Sequence, residues 1–299
     1  MEPPVVSVHI ITYNQVRYIA EAIEGALRQR TSFKVEIIVG DDGSSDGTRE
    51  VVLAYQRRYP EQVRAILSDQ NVGPCENSKR VKADCRGKYF AICDGDDYWT
   101  DCHKLEKQVA FLEANREYAM CCHDVEIVVD GVPKTSRYVE FAGDTLGFED
   151  VVRGHFIPTL SIVCRRDLLT PVPPWYYECI SGDIAMTLML LDRGSGYYLH
   201  EKMGVKRDNP GGISLDPHRA AASTESFLRT YKMMYRDMRG RHRMILRWKI
   251  ARLSLKLAKQ NLKANRFARF VKCSLDGLLY DRSVISDITR KRLGLSHET

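Results

Sequence analysis

The sequence predicts an α/β protein, a mainly parallel central sheet flanked by helices, with a basic helical extension at its C-terminal end. Three observations predict it. Short β-rich runs alternate with helix-patterned stretches as far as Cys93, the spacing of βαβ units. Clusters of polar residues stand where those apolar runs end, and parallel sheets bind ligands outside the carboxyl ends of their strands. The charge is also divided along the chain. From Phe227 to Thr299 there are 19 Lys and Arg against 5 Asp and Glu, a balance of +14 that leaves −8 for residues 1–226 within the overall +6.

Taken in order, Val5–Thr12 is a β-rich run, and Ile19, Ile23, Ala26 and Leu27 then recur at helical spacing. Val35–Val39 is a second strand, ending at Asp41-Asp42-Gly43-Ser44-Ser45-Asp46-Gly47, where Ser and Asp can cap a helix over Thr48–Tyr59 that stops before Pro60. Val63–Leu67 makes a third strand, Pro74–Cys85 a third helix and Tyr89–Cys93 a fourth strand. The middle is less regular. Val125–Val129 and Thr159–Cys164 read as strands, the first followed by a turn at Asp130-Gly131 and the second by a short helix opened by Arg165-Arg166-Asp167. Pro171, Pro173 and Pro174 interrupt regular structure before a helix over Asp183–Leu191. Gly196–Leu199 and Gly204–Arg207 are strand-like, Asn209-Pro210-Gly211-Gly212 is a flexible loop, and Ala220–Lys272 is helical and basic.

With 44% hydrophobic and 28% charged residues the composition is that of an ordinary globular protein. No stretch approaches the roughly eighteen apolar residues of a membrane span, and Met1-Glu2-Pro3-Pro4 lacks the basic start of a secretory signal. The nine cysteines include no C-x-x-C pair and are expected as reduced thiols, which implies a cytoplasmic protein.

The densest chemistry lies at Asp94-Gly95-Asp96-Asp97. Carboxylates crowded at a strand exit repel one another unless a cation sits among them. Mg²⁺ or Mn²⁺, bound through one or two carboxylates plus phosphate oxygens, suits such a group. Asp94 and Asp96 are two apart and share a side of an extended chain. Alone the pattern far more often marks a solvated acidic turn than a site. Its position in line with Thr12-Tyr13-Asn14 and Asp41-Asp42 favours a site.

Three segments carry a resemblance: VSVHIITYNQVRYIAEAIEGALRQ, VEIIVGDDGSSDGT and NVGPCENSKRVKADCRGKYFAICDGDDYW. In this order, over roughly residues 5–215, the chain resembles the family 2 glycosyltransferases, which have the GT-A fold. The resemblance implies that Thr12, Tyr13 and Asn14 line a nucleoside pocket with Asp41 and Asp42 beside it, and that Asn71 and Lys79 approach the nucleotide. It makes Asp94 and Asp96 the D-x-D pair around Gly95, with Asp96 the direct metal ligand and Asp94 nearer the ribose and the metal's waters. Asp97 reads as a cap for the following helix, and Trp99 as a sugar-stacking face or a buried anchor. Asp183, in Ser181-Gly182-Asp183-Ile184, falls in the family's base motif. A carboxylate there can take the acceptor hydroxyl's proton during attack from the face opposite the nucleotide, which implies inversion. In GVKRDNPGGIS the departures are Lys206 in a Tyr position and Asn209 in a His position. Asn209 would be a weaker metal ligand, and Lys206 and Arg207 could supply phosphate-binding charge instead. His123, His155 and His200 are read as structural.

In the basic stretch, Leu246, Ile250, Leu253 and Leu257 form an apolar stripe beside a basic face. The stripe fits peripheral attachment to anionic lipid on the inner face of the membrane. It also fits packing on the catalytic domain or on another copy; nucleic acid is the less favoured partner, since no reader motif accompanies the charge.

The expectation is therefore a GT-A domain over residues 1–219, a basic helical extension over 220–299, and an inverting, Mn²⁺- or Mg²⁺-dependent glycosyltransferase. It would use a nucleotide-diphosphate sugar, UDP being the expected carrier, and a glycan or lipid-linked acceptor in glycan or surface-polysaccharide assembly. A nucleotidyltransferase would want a glycine-rich, lysine-bearing loop after the first strand, which TYNQVRYIAEA lacks. A non-catalytic sugar-nucleotide-binding or scaffold protein is argued against by the intact Asp94, Asp96 and Asp183.

Overall fold

The computed structural model describes residues 3–129, 131–134, 141–155, 157–179, 182–208 and 220–281, the side chains of 220–223 excepted. The chain divides into two compact units, one of Met1–Glu178 with Gly182–Leu215, the other of Cys179–Ser181 with Asp216–Thr299.

In the first unit Val6–Thr12 (β1), Val35–Asp41 (β2), Val63–Leu67 (β3) and Tyr89–Asp94 (β4) lie parallel in the order β3-β2-β1-β4. Their crossovers are Ile19–Leu27 (α1), Thr48–Arg58 (α2) and Pro74–Asp84 (α3). β1, β2 and β4 are buried along almost their whole length, which is why they read as continuous apolar runs rather than alternating ones. Val8, Ile10, Ile37, Val39 and Ala91 form the core with Ile19 and Ile23 of α1.

Beyond β4 come Tyr98–Trp99 (β5), Lys104–Ala114 (α4), Tyr118–Val129 (β6), Val132–Lys134 (β7), Thr145–Leu146 (β8), Phe148–Arg153 (α5), Val163–Arg165 (β9), Gly182–Leu191 (α6) and Ser195–Arg207 (β10). The sheet continues β4-β9-β6-β10-β5, with β7 on β6 and β8 on β10. β6 and β10 are parallel, whereas β9 is antiparallel to both β4 and β6, so this half of the sheet is mixed. Val125–Val129 is only the end of the twelve-residue β6. Thr159–Cys164 is no continuous strand: Thr159–Ser161 is a 3-10 turn, after which β9 begins at Val163. Gly196–Leu199 and Gly204–Arg207 belong to one strand, β10, whose register against β6 shifts between Leu199 and Lys202 and again before Val205. Such irregularities break the side-chain alternation by which a single strand is read.

The second unit contains Ala220–Asp237 (α7), Gly240–Lys263 (α8) and Phe267–Tyr280 (α9), with α8 packed on both α7 and α9. Leu246, Ile250 and Leu257 are buried and Leu253 half-buried, so of the two roles that fit this stripe, lipid attachment and packing, it serves as a packing face. No helix among the described residues is long and apolar enough to cross a membrane.

Candidate active site

Strand register brings the polar clusters to one edge. Thr12 pairs with Asp41, Asp41 with Leu67, and Ile11 with Asp94, so β1, β2 and β4 end together. Asp41 is fully buried; its Oδ2 accepts from the Ser44 amide at 3.2 Å and from Arg49 Nε at 3.3 Å, while Oδ1 has no partner among the described residues. Asp42 is also buried, and its two oxygens accept from the amides of Val72 (2.8 Å) and Gly73 (2.9 Å) just ahead of α3. Its carboxylate therefore organises the Asn71–Gly73 approach, where the Asn71 side chain also accepts from the Gly73 amide. Asn14, at a positive φ of 52°, receives Ser45 N–H on its side chain and donates its own N–H to Ser44 Oγ. Between these groups Tyr13 stays 46% exposed, and Thr12 donates to Gln15. Lys79 stands apart, exposed on α3, paired with Glu76 and lying over the Tyr177 ring.

At the end of β4 the chain turns tightly. The Gly95 amide donates to Ile11 O at 3.0 Å and the Asp97 amide to Asp94 O at 3.0 Å. A Cβ on Gly95 would come within 2.5 Å of Gln15 Oε1, 2.8 Å of Thr12 Cβ and 2.9 Å of Ile11 O, so only glycine lets the acidic turn lie against β1. Asp97 does not cap a helix: β5 intervenes before α4 begins at Lys104. It is buried, and its Oδ1 accepts the Arg207 amide at 2.7 Å, tying the turn to β10. Trp99 is 1% exposed and donates from Nε1 to Leu160 O at 2.8 Å, so it is an anchor and not a stacking face.

Arg207 completes the tie. Its guanidinium donates to Asp96 O at 2.8 Å, pairs with Glu21 of α1 and lies over the rings of Tyr98 (4.4 Å) and Tyr18 (5.1 Å). Lys206, one residue earlier, faces the carboxylates: its charge offsets the upward shifts of Asp94, Asp97 and Asp183, and its Nζ lies 3.6 Å from Asp208. Asp183, in the first turn of α6, is half-buried. Burial raises its carboxyl above the ordinary value, opposed by the helix-start amides and Lys206. Asp94 is pushed up to about 7, first by burial, then by Asp96 and, more weakly, by Asp183, with Lys206 pulling the other way. Asp94, Asp96, Asp183 and Lys206 thus form one electrostatic group. Asn209 lies outside the described residues, as do Pro210, Gly211 and Gly212.

Among the described residues no three or more His, Cys, Asp and Glu side chains converge as a metal cage. Asp94 and Asp96 present a two-carboxylate, all-oxygen set, and their repulsion is of the kind a divalent cation relieves. That set fits Mg²⁺ or Mn²⁺ completed by a ligand's phosphate oxygens, not a closed structural site. The roles of Asp97 and Glu21 were not legible in the sequence, because each acts through Arg207 on a distant segment.

A mixed sheet of this order, with acidic groups gathered at the carboxyl ends of its parallel strands, is the GT-A glycosyltransferase fold. The chain belongs to glycosyl transferase family 2, whose sequence profile matches residues 7–168. An uncharacterised protein of Mycobacterium tuberculosis is 38% identical over 218 residues, 69% of this chain and 60% of that protein, so the match leaves a substantial part of the relative uncovered. TuaG of Bacillus subtilis, named as a teichuronic acid biosynthesis glycosyltransferase, is 26% identical over 87% of this chain and 98% of its own length. Among solved structures, S. aureus TarS 1–349 in complex with UDP-GlcNAc has a TM-score of 0.65 at 15% identity, covering 98% of this chain and 93% of that one. The mannosyltransferase PcManGT of Pyrobaculum calidifontis, in complex with GDP-Man and Mn²⁺, has a TM-score of 0.61 at 16% identity, covering 99% and 82%.

Proposed function

We propose that the protein transfers a sugar, with inversion, from a nucleoside-diphosphate sugar to an acceptor hydroxyl in glycan or surface-polysaccharide assembly. The observation that carries this reading is the strand register that ends β1, β2 and β4 together, so that Thr12, Asp41 and Asp94 stand at one edge of the sheet. Thr12, Tyr13, Asn14, Asp41 and Asp42 surround the nucleoside, the unpartnered Asp41 Oδ1 offering a buried acceptor for a ligand donor. Asp96 and Asp94 would hold Mn²⁺ or Mg²⁺, which when bound would supply charge neutralisation to a departing diphosphate. Lys206 adds a fixed positive charge beside them, whereas Arg207 holds the acidic turn in place. The Asp183 carboxylate takes the acceptor hydroxyl's proton, and its raised proton affinity makes it a stronger base than an exposed carboxylate. UDP is the preferred carrier, in keeping with the TarS complex, and the teichuronic acid role named for TuaG supports a cell-surface glycan as acceptor.

The test is Asp183→Asn, assayed separately for donor binding and for transfer. The variant should bind donor as the native chain does and lose transfer by about 10²–10⁴-fold, the usual worth of a general base. Transfer at the native rate would remove Asp183 from that role, and a product retaining the donor's anomeric configuration would contradict inversion.

A further inference from the structure

The second unit presents an apolar face that the packing of its own helices does not use. On α9, Phe267, Val271, Leu275 and Leu279 are 62%, 51%, 57% and 80% exposed. They recur every four residues, so they form one slowly turning stripe along the helix, roughly 18 Å from end to end. Isolated exposed apolar residues are ordinary, but four in line on a fourteen-residue helix mark a contact surface. The polar residues exposed alongside them, Arg269 and Lys272, are both cationic. The helix's only acidic residue, Asp276, is paired with Lys232 of α7 at 2.9 Å.

We propose that α9 docks flat on an anionic lipid bilayer, with this stripe in the headgroup region and its basic neighbours on the lipid phosphates. Charge selects the occupant. Residues 220–281 carry 15 Lys and Arg against 4 Asp and Glu, a balance of +11. A two-fold pairing of α9 with another copy would set two such units face to face, whereas an anionic surface draws each basic side chain in by about 1 kcal/mol. The helix is too short and too charged to span, and an apolar face bordered by Lys and Arg is the pattern of an interfacial helix. The stripe is distinct from Leu246, Ile250 and Leu257 of α8, which are buried.

The experiment is co-sedimentation of the full chain with vesicles of phosphatidylglycerol and phosphatidylcholine in equal parts, against vesicles of phosphatidylcholine alone. The native chain should bind the anionic vesicles at least about tenfold more tightly than the neutral ones. Phe267→Ser with Leu275→Ser should weaken that binding by about tenfold or more. Arg269→Glu with Lys272→Glu, which alters only exposed charge, should weaken it comparably and reduce its salt dependence. All forms should keep native circular dichroism and native affinity for a nucleoside diphosphate. Absence of binding to the anionic vesicles, equal binding to the neutral ones, or unchanged binding by both double variants would overturn the proposal. So would a native dimer that the serine variant converts to monomer while no form binds lipid.

Discussion

Arg207 is the residue through which the acidic turn and the last strand of the sheet are held as one. Its side chain is held by the Asp96 carbonyl, by Glu21 and by two aromatic faces, and so holds the acidic turn that carries Asp96. Arg207→Ala should raise the donor KM by roughly tenfold to a hundredfold, the loss of a charge-assisted hydrogen bond and its packing. Arg207→Lys should fail to rescue it, because an ammonium reproduces neither the forked donors nor the stacking. A rescue by lysine in steady-state kinetics would show that charge alone matters there. A second residue-scale consequence concerns acid. Burial, helped by the nearby Lys82 charge, lowers His9 from 6.5 to about 3, and burial also lowers His123 well below its ordinary value. Both are held neutral in the fold, so the unfolded chain binds more protons than the native one below pH about 6.5. Their contribution is complete above that pH and erodes as pH falls toward their folded values. The raised Asp94, Asp97 and Asp183 carboxyls act in the opposite sense over the same range, so the histidine contribution is read as a difference between chains. In denaturant titrations His9→Gln, which keeps a polar partner for Ser78 without a titratable ring, should gain stability relative to the native chain as pH falls from 6.5 to 4.5.

At the scale of elements, the acidic turn between β4 and β5 depends on close approach to β1. Gly95→Ala places a methyl against Ile11 O and Thr12, neither of which can swing away as the end of a long side chain can. The substitution should destabilise by about 1–3 kcal/mol and weaken donor binding together, since the displaced turn carries Asp94 and Asp96. Unchanged affinity in a calorimetric titration would mean that the carboxylates are placed by other contacts. The elements that were legible from sequence are those whose burial is uniform: β1, β2 and β4 lie inside the sheet on both faces and read as apolar runs. Those that were not legible have mixed surroundings. α4 is hard to read although Leu105, Val109 and Leu112 recur at helical spacing, because the buried Lys104 and Gln108 interrupt the apolar face. Gln108 spans Lys104 Nζ, Cys121 O and Ser161 O, a buried polar network that hydropathy alone hides. Trp99 and Asp97 were ambiguous for the same reason. Whether a tryptophan stacks on a sugar or fills a core is decided by Leu160, sixty-one residues away.

For the whole molecule, the parallel half of the sheet fixes where a ligand would sit, and the mixed half delivers Asp183 and Lys206 to that edge from far along the chain. The D-x-D pair, the Asp41-Asp42 turn and Asp183 were readable in order along the sequence, but their electrostatic grouping is a property of the fold. Charge runs the other way: the basic balance of the C-terminal helices was plain from composition, while the face they leave exposed, on α9 instead of α8, required their packing. The claim on which the account turns is that the acidic edge holds a nucleoside diphosphate together with a divalent cation. Thermal unfolding with UDP or GDP, with and without Mn²⁺, tests it most directly. With both at saturation the midpoint should rise by about 5 °C or more, Mn²⁺ alone should have little effect, and Asp96→Asn should abolish the joint shift. A midpoint unmoved by any nucleoside diphosphate with Mn²⁺, or moved equally in Asp96→Asn, would contradict the account.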